Sequence, residues 1–153
     1  MNVETIAPTP AALAAGRDLQ MLWISLLKRP WTTLAVLPTE PSASARDLMG
    51  ALAEIAHYHE AARQVEIIDV GGLPPGDGIR QAHTLGARVN AGKRVVLLVD
   101  PITTSLQGLP LVNEAQAVLL VLRYGSAIEA ARSTAELVGR DRILGAVALP
   151  PRG

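Results

Sequence analysis

The stretch Thr32–Ala56 reads TTLAVLPTEPSASARDLMGALAEIA, and its grammar is that of a buried strand, a tight loop and a helix. Leu34, Ala35, Val36 and Leu37 form an aliphatic run that stops at Pro38 and Pro41, as a strand covered on both faces does when its end cannot continue into a ladder. The helix that follows starts sharply. Ser44 and Asp47 make an S-x-x-D capping box, and Leu48, Leu52 and Ile55 recur at helical spacing to give one apolar face.

Working outward, the same alternation fills the chain. Upstream, Met1–Pro10 carries two prolines and reads as a flexible arm outside the domain. Ala11–Leu27 is rich in helix formers, with Leu19, Leu22, Trp23 and Leu26 spaced i, i+3, i+4, i+7 on one stripe, and Pro30 stops it. Such a stripe either packs on its own domain or docks on a neighbouring subunit. Downstream, Val65–Val70 reads as a strand running into the breaker-rich loop GGLPPGDG, Gly71–Gly78. Ile79–Ala91 then reads as a helix ended by Gly92. Val95–Val99, VVLLV, is the most uniformly aliphatic run and is expected to be the central strand. After the looser segment ITTSLQGLPLVNEA come a strand at Val118–Leu122, a helix to Leu137 opened by the Ser126/Glu129 capping box and ended by Gly139, and a last strand at Ile143–Leu149. Strands joined by links of a dozen residues or more must pair in parallel through crossovers. The expected architecture is a single α/β domain over residues 11–150: three layers, doubly wound, with a mainly parallel sheet of about five strands and a crevice at their carboxyl ends.

The chain's 153 residues suit one domain with a real core, and its 49% hydrophobic against 18% charged content suits strands covered on both faces. Fourteen basic and fourteen acidic residues cancel, leaving no field to attract nucleic acid, and the chain has no cysteine for a disulfide, a thiolate metal site or a thiol nucleophile. No apolar run approaches the roughly 20 residues of a membrane span, and the first residues lack the pattern of a secretory signal, so a cytoplasmic location is expected.

Asp69 and Asp100 each end a predicted buried strand, on the edge where a nucleotide hydrolase holds its metal or activates water; an Asp there is also a common turn former. At the loop after the first strand, a phosphate-binding motif would read G-x-x-x-x-G-K-[ST]. Here Glu40–Asp47 reads EPSASARD. GDGIRQ, Gly76–Gln81, lacks the third glycine of a dinucleotide fingerprint and reads as a turn, and the Gly92–Lys93 pair precedes a strand instead of opening a helix. His57 and His59 stand i, i+2 and so point to different sides of a helix, His83 is alone, and Ser126 has no nucleophile elbow; no metal site is expected.

The order of these features resembles the deviant-Walker P-loop ATPases and, within them, the cytoplasmic domains of the bacterial tyrosine kinases that accompany exopolysaccharide and capsule polymerisation. VVLLVDPI, Val95–Ile102, is similar to the family's strand with a magnesium-associated aspartate, and Glu114–Leu149 to its last strand, helix and strand. The helix Arg17–Leu26, RDLQMLWISL, is similar to the arginine-containing helix of ring assembly. The resemblance implies that Asp100 occupies the second Walker aspartate position and Asp69 the one after the preceding strand. It places Ser44, Ala45, Arg46 and Asp47 at the phosphate loop, with Ala45, Arg46 and Asp47 where the family has Gly, Lys and Ser or Thr. Arg17, Leu19, Leu22, Trp23 and Leu26 become interface residues. The two tyrosines, Tyr58 and Tyr124, do not form the family's tyrosine cluster. What is expected is therefore a non-catalytic, pseudokinase-like regulatory or assembly subunit of an exopolysaccharide or capsule system. It would need no cofactor, form a homo-oligomer, and be recruited to the inner membrane by a membrane-spanning polysaccharide chain-length regulator. The alternative is an atypical ATPase or tyrosine autokinase that uses ATP and Mg through Asp69 and Asp100.

Overall fold

In a computed structural model of the chain, residues 4–5, 12–41, 44–59, 65–90, 94–125 and 128–149 are described. Helix α1 (Ala12–Leu27) leads into β2 (Thr33–Pro38), followed by α2 (Ser44–His59), β3 (Val65–Asp69), α3 (Asp77–Asn90) and β4 (Arg94–Leu98). The short α4 (Leu109–Glu114), β5 (Ala117–Arg123), α5 (Ile128–Val138), a 3-10 turn (Arg140–Arg142) and β6 (Ile143–Leu149) complete it. A two-residue β1 (Glu4–Thr5) pairs antiparallel with β3, so part of the stretch expected to be a loose arm belongs to the sheet.

The sheet order is β1-β3-β4-β2-β5-β6, and the five longer strands are all parallel. This is a three-layer, doubly wound α/β domain of P-loop NTPase-like kind. The middle of the parallel five is β2, flanked by β4 and β5, and not the Val95–Val99 run, which lies beside it. Alternate β2 residues serve opposite layers. Leu34 and Val36 pack with α1 and α2, while Ala35 and Leu37 pack with α3, α4 and α5.

The α1–α2 layer is held by two tryptophans. Trp23 and Trp31 meet edge to face with ring centroids 6.0 Å apart, and the Trp31 Nε1–H donates to Leu26 O at 2.8 Å. The Arg94 guanidinium lies 4.7 Å from the centre of the Trp31 ring.

Helix α4 falls inside the segment read as loose. Gly108 lies at its N-cap and Pro110 in its first turn, where a missing N–H costs nothing; in the sequence the same Gly and Pro look like breakers. Gly108 is required by contact, because a Cβ there would sit 2.3 Å from Val99 Cγ1. Just before β6, Arg142 donates to Val112 O, Asn113 O and Ala115 O at the carboxyl end of α4, satisfying carbonyls that a helix end leaves over. Among the described residues no helix is long and apolar enough to cross a membrane.

Candidate functional site

Parallel pairing brings the carboxyl ends of β2, β3 and β4 to one edge. The ladder runs one residue past the strand ends: Val70 N–H donates to Leu98 O at 2.9 Å and Val99 N–H to Val36 O at 3.1 Å. Asp69 and Asp100 therefore emerge from fixed backbone beside the start of α2. An open cavity of about 260 Å³ lies there, walled by Pro38 and Pro41 after β2, by Ala45 and Arg46 of α2, by Asp69, and by Leu98 to Pro101 with Thr104 after β4.

The charged groups of this cavity are already engaged. The Arg46 guanidinium forms an ion pair with Asp69 Oδ2, and Asp69 Oδ1 accepts the Gly71 N–H at 2.9 Å. Asp100 Oδ2 accepts the Gly72 N–H at 2.7 Å. Both carboxylates close on Gly71, where a Cβ would lie 2.8 Å from Asp100 Oδ1 and 3.1 Å from Asp69 Oδ1. Gly72, at φ +73°, takes the left-handed turn that aims its N–H back at Asp100. Each aspartate is thus a strand-end residue that closes the Gly71–Gly72 turn, and Asp69 is an ion-pair partner as well.

Of the residues singled out at the phosphate-loop position, Ala45 and Arg46 line the cavity with Asp69 and Asp100, and Asp47 is exposed and does not. Ser44 begins α2, and its side chain lies outside the described residues, as do residues 42–43 of the loop. The Gly71–Gly72 pair, read only as a loop, turns out to carry both carboxylates. Its signal was the position of two adjacent glycines directly behind a strand ending in Asp.

Among the described residues, the charged groups of the lining are one guanidinium and two carboxylates. The one guanidinium is held by a carboxylate, and Asp47, where the motif has its metal-bound hydroxyl, is exposed and outside the cavity lining. Two carboxylates against one cation leave the mouth net negative, and at close range that repels polyphosphate. Among the described residues no three His, Cys, Asp or Glu side chains gather as a metal site.

The α1 stripe is placed differently from an open docking face. Trp23 is 1% exposed and Leu26 is buried, with Leu19 and Leu22 partly buried against the same core. They seal α1 onto the α2 layer, so a charge introduced at Trp23 would be buried in this core at a cost in stability. The open face of α1 carries Met21 and Ile24; Arg17 lies in α1, with its side chain outside the described residues. His57, Tyr58 and His59 end α2, and their side chains also lie outside the described residues. Only Gly76 of GDGIRQ is a turn residue, at φ +86°; Asp77–Gln81 are not the expected turn but the first residues of α3, with Asp77 in its first turn, and a Cβ at Gly78 would sit 1.9 Å from Gln107 O. Compared with known protein families and with curated proteins, the chain matches none.

Proposed function

We infer that the chain is a non-catalytic, pseudokinase-like regulatory or assembly subunit that keeps a P-loop NTPase-like fold without nucleotide turnover. The observation that carries this reading is the Arg46–Asp69 ion pair, which engages the one cation that lines the crevice among the described residues. Phosphate would have to displace a carboxylate that is also anchored by the Gly71 N–H, and would meet Asp100 beside it. The placement in bacterial exopolysaccharide or capsule biosynthesis rests on the resemblance of Val95–Ile102 and Glu114–Leu149 and on nothing in the crevice. On that reading the protein is cytoplasmic and reaches the inner membrane through a membrane-spanning chain-length regulator.

Calorimetric titration with ATP and MgCl₂ tests the catalytic half. No binding is expected in the micromolar range. Micromolar, magnesium-dependent binding that Arg46→Ala removes would overturn the reading and favour the atypical ATPase or autokinase, whose support is the convergence of Asp69 and Asp100 on Gly71. Co-purification with the cytoplasmic segments of a chain-length regulator tests the partner, and failure to co-purify sinks that half alone.

A further inference from the structure

β6 is the outermost strand of the sheet, and among the described residues its outer edge has no partner. Edge strands of soluble domains are ordinarily short, or carry a charge or a proline that blocks further pairing. β6 has none of these: ILGAVAL is seven residues long and uncharged. The one irregularity, a bulge where Val118 pairs with Ile143 and Leu119 with Gly145, lies at its start and leaves Gly145–Leu149 regular.

Beyond the bulge the strand's two faces differ. Val147 and Leu149 pack on the α1–α2 core, while Ala146 and Ala148, on the α5 side, are exposed. α5 covers only the start of this face, because Ala135 and Val138 pack with Leu120 and Ile143. Ile128, at the other end of α5, is 67% exposed, and Leu137 is 53% exposed. An unpaired ladder edge and an uncovered strip of sheet therefore coincide.

The charges along α5 and the 3-10 turn after it bear on what fits there. Glu129, Arg132 and Glu136 of α5 and Arg140 of the turn run acid, base, acid, base, all exposed, and in the single chain they pair as Arg132–Glu129 at 3.5 Å and Arg140–Glu136 at 3.6 Å. Read in reverse, the order is the same with every sign exchanged, so a second α5 with its turn, lying antiparallel, can trade these exposed pairs for Glu129 by the mate's Arg140 and Arg132 by the mate's Glu136. Two α5 helices over two paired β6 edges stand about two strand spacings, or ~10 Å, apart, which is a helix-packing distance.

We propose that the outer edge of β6 joins a second copy of this chain, with the two β6 strands antiparallel about a two-fold axis at Val147. In that register Ala146 faces the mate's Ala148 on the α5 side and Gly145 faces the mate's Leu149 on the other, small residues against small and then small against large. The two sheets become one continuous sheet, the two alanine strips lie side by side and shield each other's flanks, and the charges of α5 and its turn pair across the axis. The contact is isologous and closes at two copies, so both open edges are removed at once.

Light scattering on the full chain, read against concentration, should give twice the chain mass. Ala146 and Ala148 are exposed in the single chain, so Ala146→Lys/Ala148→Lys keeps its circular dichroism and melting curve while opposing lysines raise the dimer dissociation constant about tenfold or more. Ala146→Glu/Ala148→Glu should do the same, and mixing the two variants should restore a dimer containing one of each. A wild-type chain that stays at single mass at the highest concentration reached overturns the proposal. So does a wild-type dimer that folded lysine and glutamate variants leave unchanged, or two monomeric variants that fail to associate when mixed.

Discussion

β2 and β6 are written in nearly the same aliphatic letters, TLAVLP and ILGAVAL, yet every residue of β2 is buried and none of β6 is. β2 has β4 on one side and β5 on the other, with helices over both faces; among the described residues β6 has one ladder partner and partial cover. Burial in this sheet comes from a strand's neighbours and not from its own composition. The energetic weight of an identical substitution should therefore depend on which strand carries it.

The sharpest way to break that comparison is to delete methyl groups from both strands. Leu34→Ala in β2 opens a cavity where nothing can collapse, and should cost about 3 kcal/mol. Val147→Ala in β6 removes a half-covered side chain and should cost about 1 kcal/mol or less. Urea midpoints measured at low protein concentration, where association does not contribute, compare the two. Equal losses would mean that β6 is covered in the isolated chain and that its exposure has been misjudged.

A second substitution tests how β6 is anchored where it leaves the 3-10 turn. Arg142→Ala strips the guanidinium from the carbonyls of Val112 and Asn113 in α4 and of Ala115 just after it and should cost about 2 kcal/mol, felt first as faster hydrogen exchange in α4 and at the start of β6, with β2 unaffected. A loss spread evenly over β2 and β6 would show that the two strands do not behave as separate units.

The smallest effect is expected at the crevice. Asp69→Asn and Asp100→Asn each keep an oxygen that can accept from Gly71 or Gly72, and the Arg46 pair is half exposed, so each should change stability by less than about 1 kcal/mol. Thermal melts with and without MgCl₂ check this. A large loss confined to the magnesium arm would reveal a cation site there.

Much of this fold is legible from residues because it follows from local rules. The aliphatic runs ending at Pro38, Asp69 and Asp100 mark strands by length and breakers, the 3.6-residue stripes mark α1 and α2, and a capping box and glycine stops mark α3 and α5. What lies beyond those rules depends on partners distant in the chain. Nothing in VVLLV or LAVL says which sits in the middle, since strand order is set by where crossovers land. Trp23 on an amphipathic stripe reads the same for an interface as for a core, and only Trp31 and α2 decide between them. The Arg46–Asp69 pair spans 23 residues and two elements, so neither residue announces the other. α4 escaped because Gly108 and Pro110 are helix-start residues in one context and loop residues in another.

The paired tryptophans have an optical consequence. They are the chain's only two, both are buried, and both lie on the α1–α2 side of the sheet. Intrinsic fluorescence therefore reports on one layer of the molecule, while Tyr124, 63% exposed at the end of β5, contributes little to an emission dominated by indole. Far-ultraviolet dichroism, in contrast, counts α5 and β6 with everything else. If the β6 side loosens before the β2 side, melts followed by the two signals will not superimpose, and dichroism will fall first while the indole band stays in place.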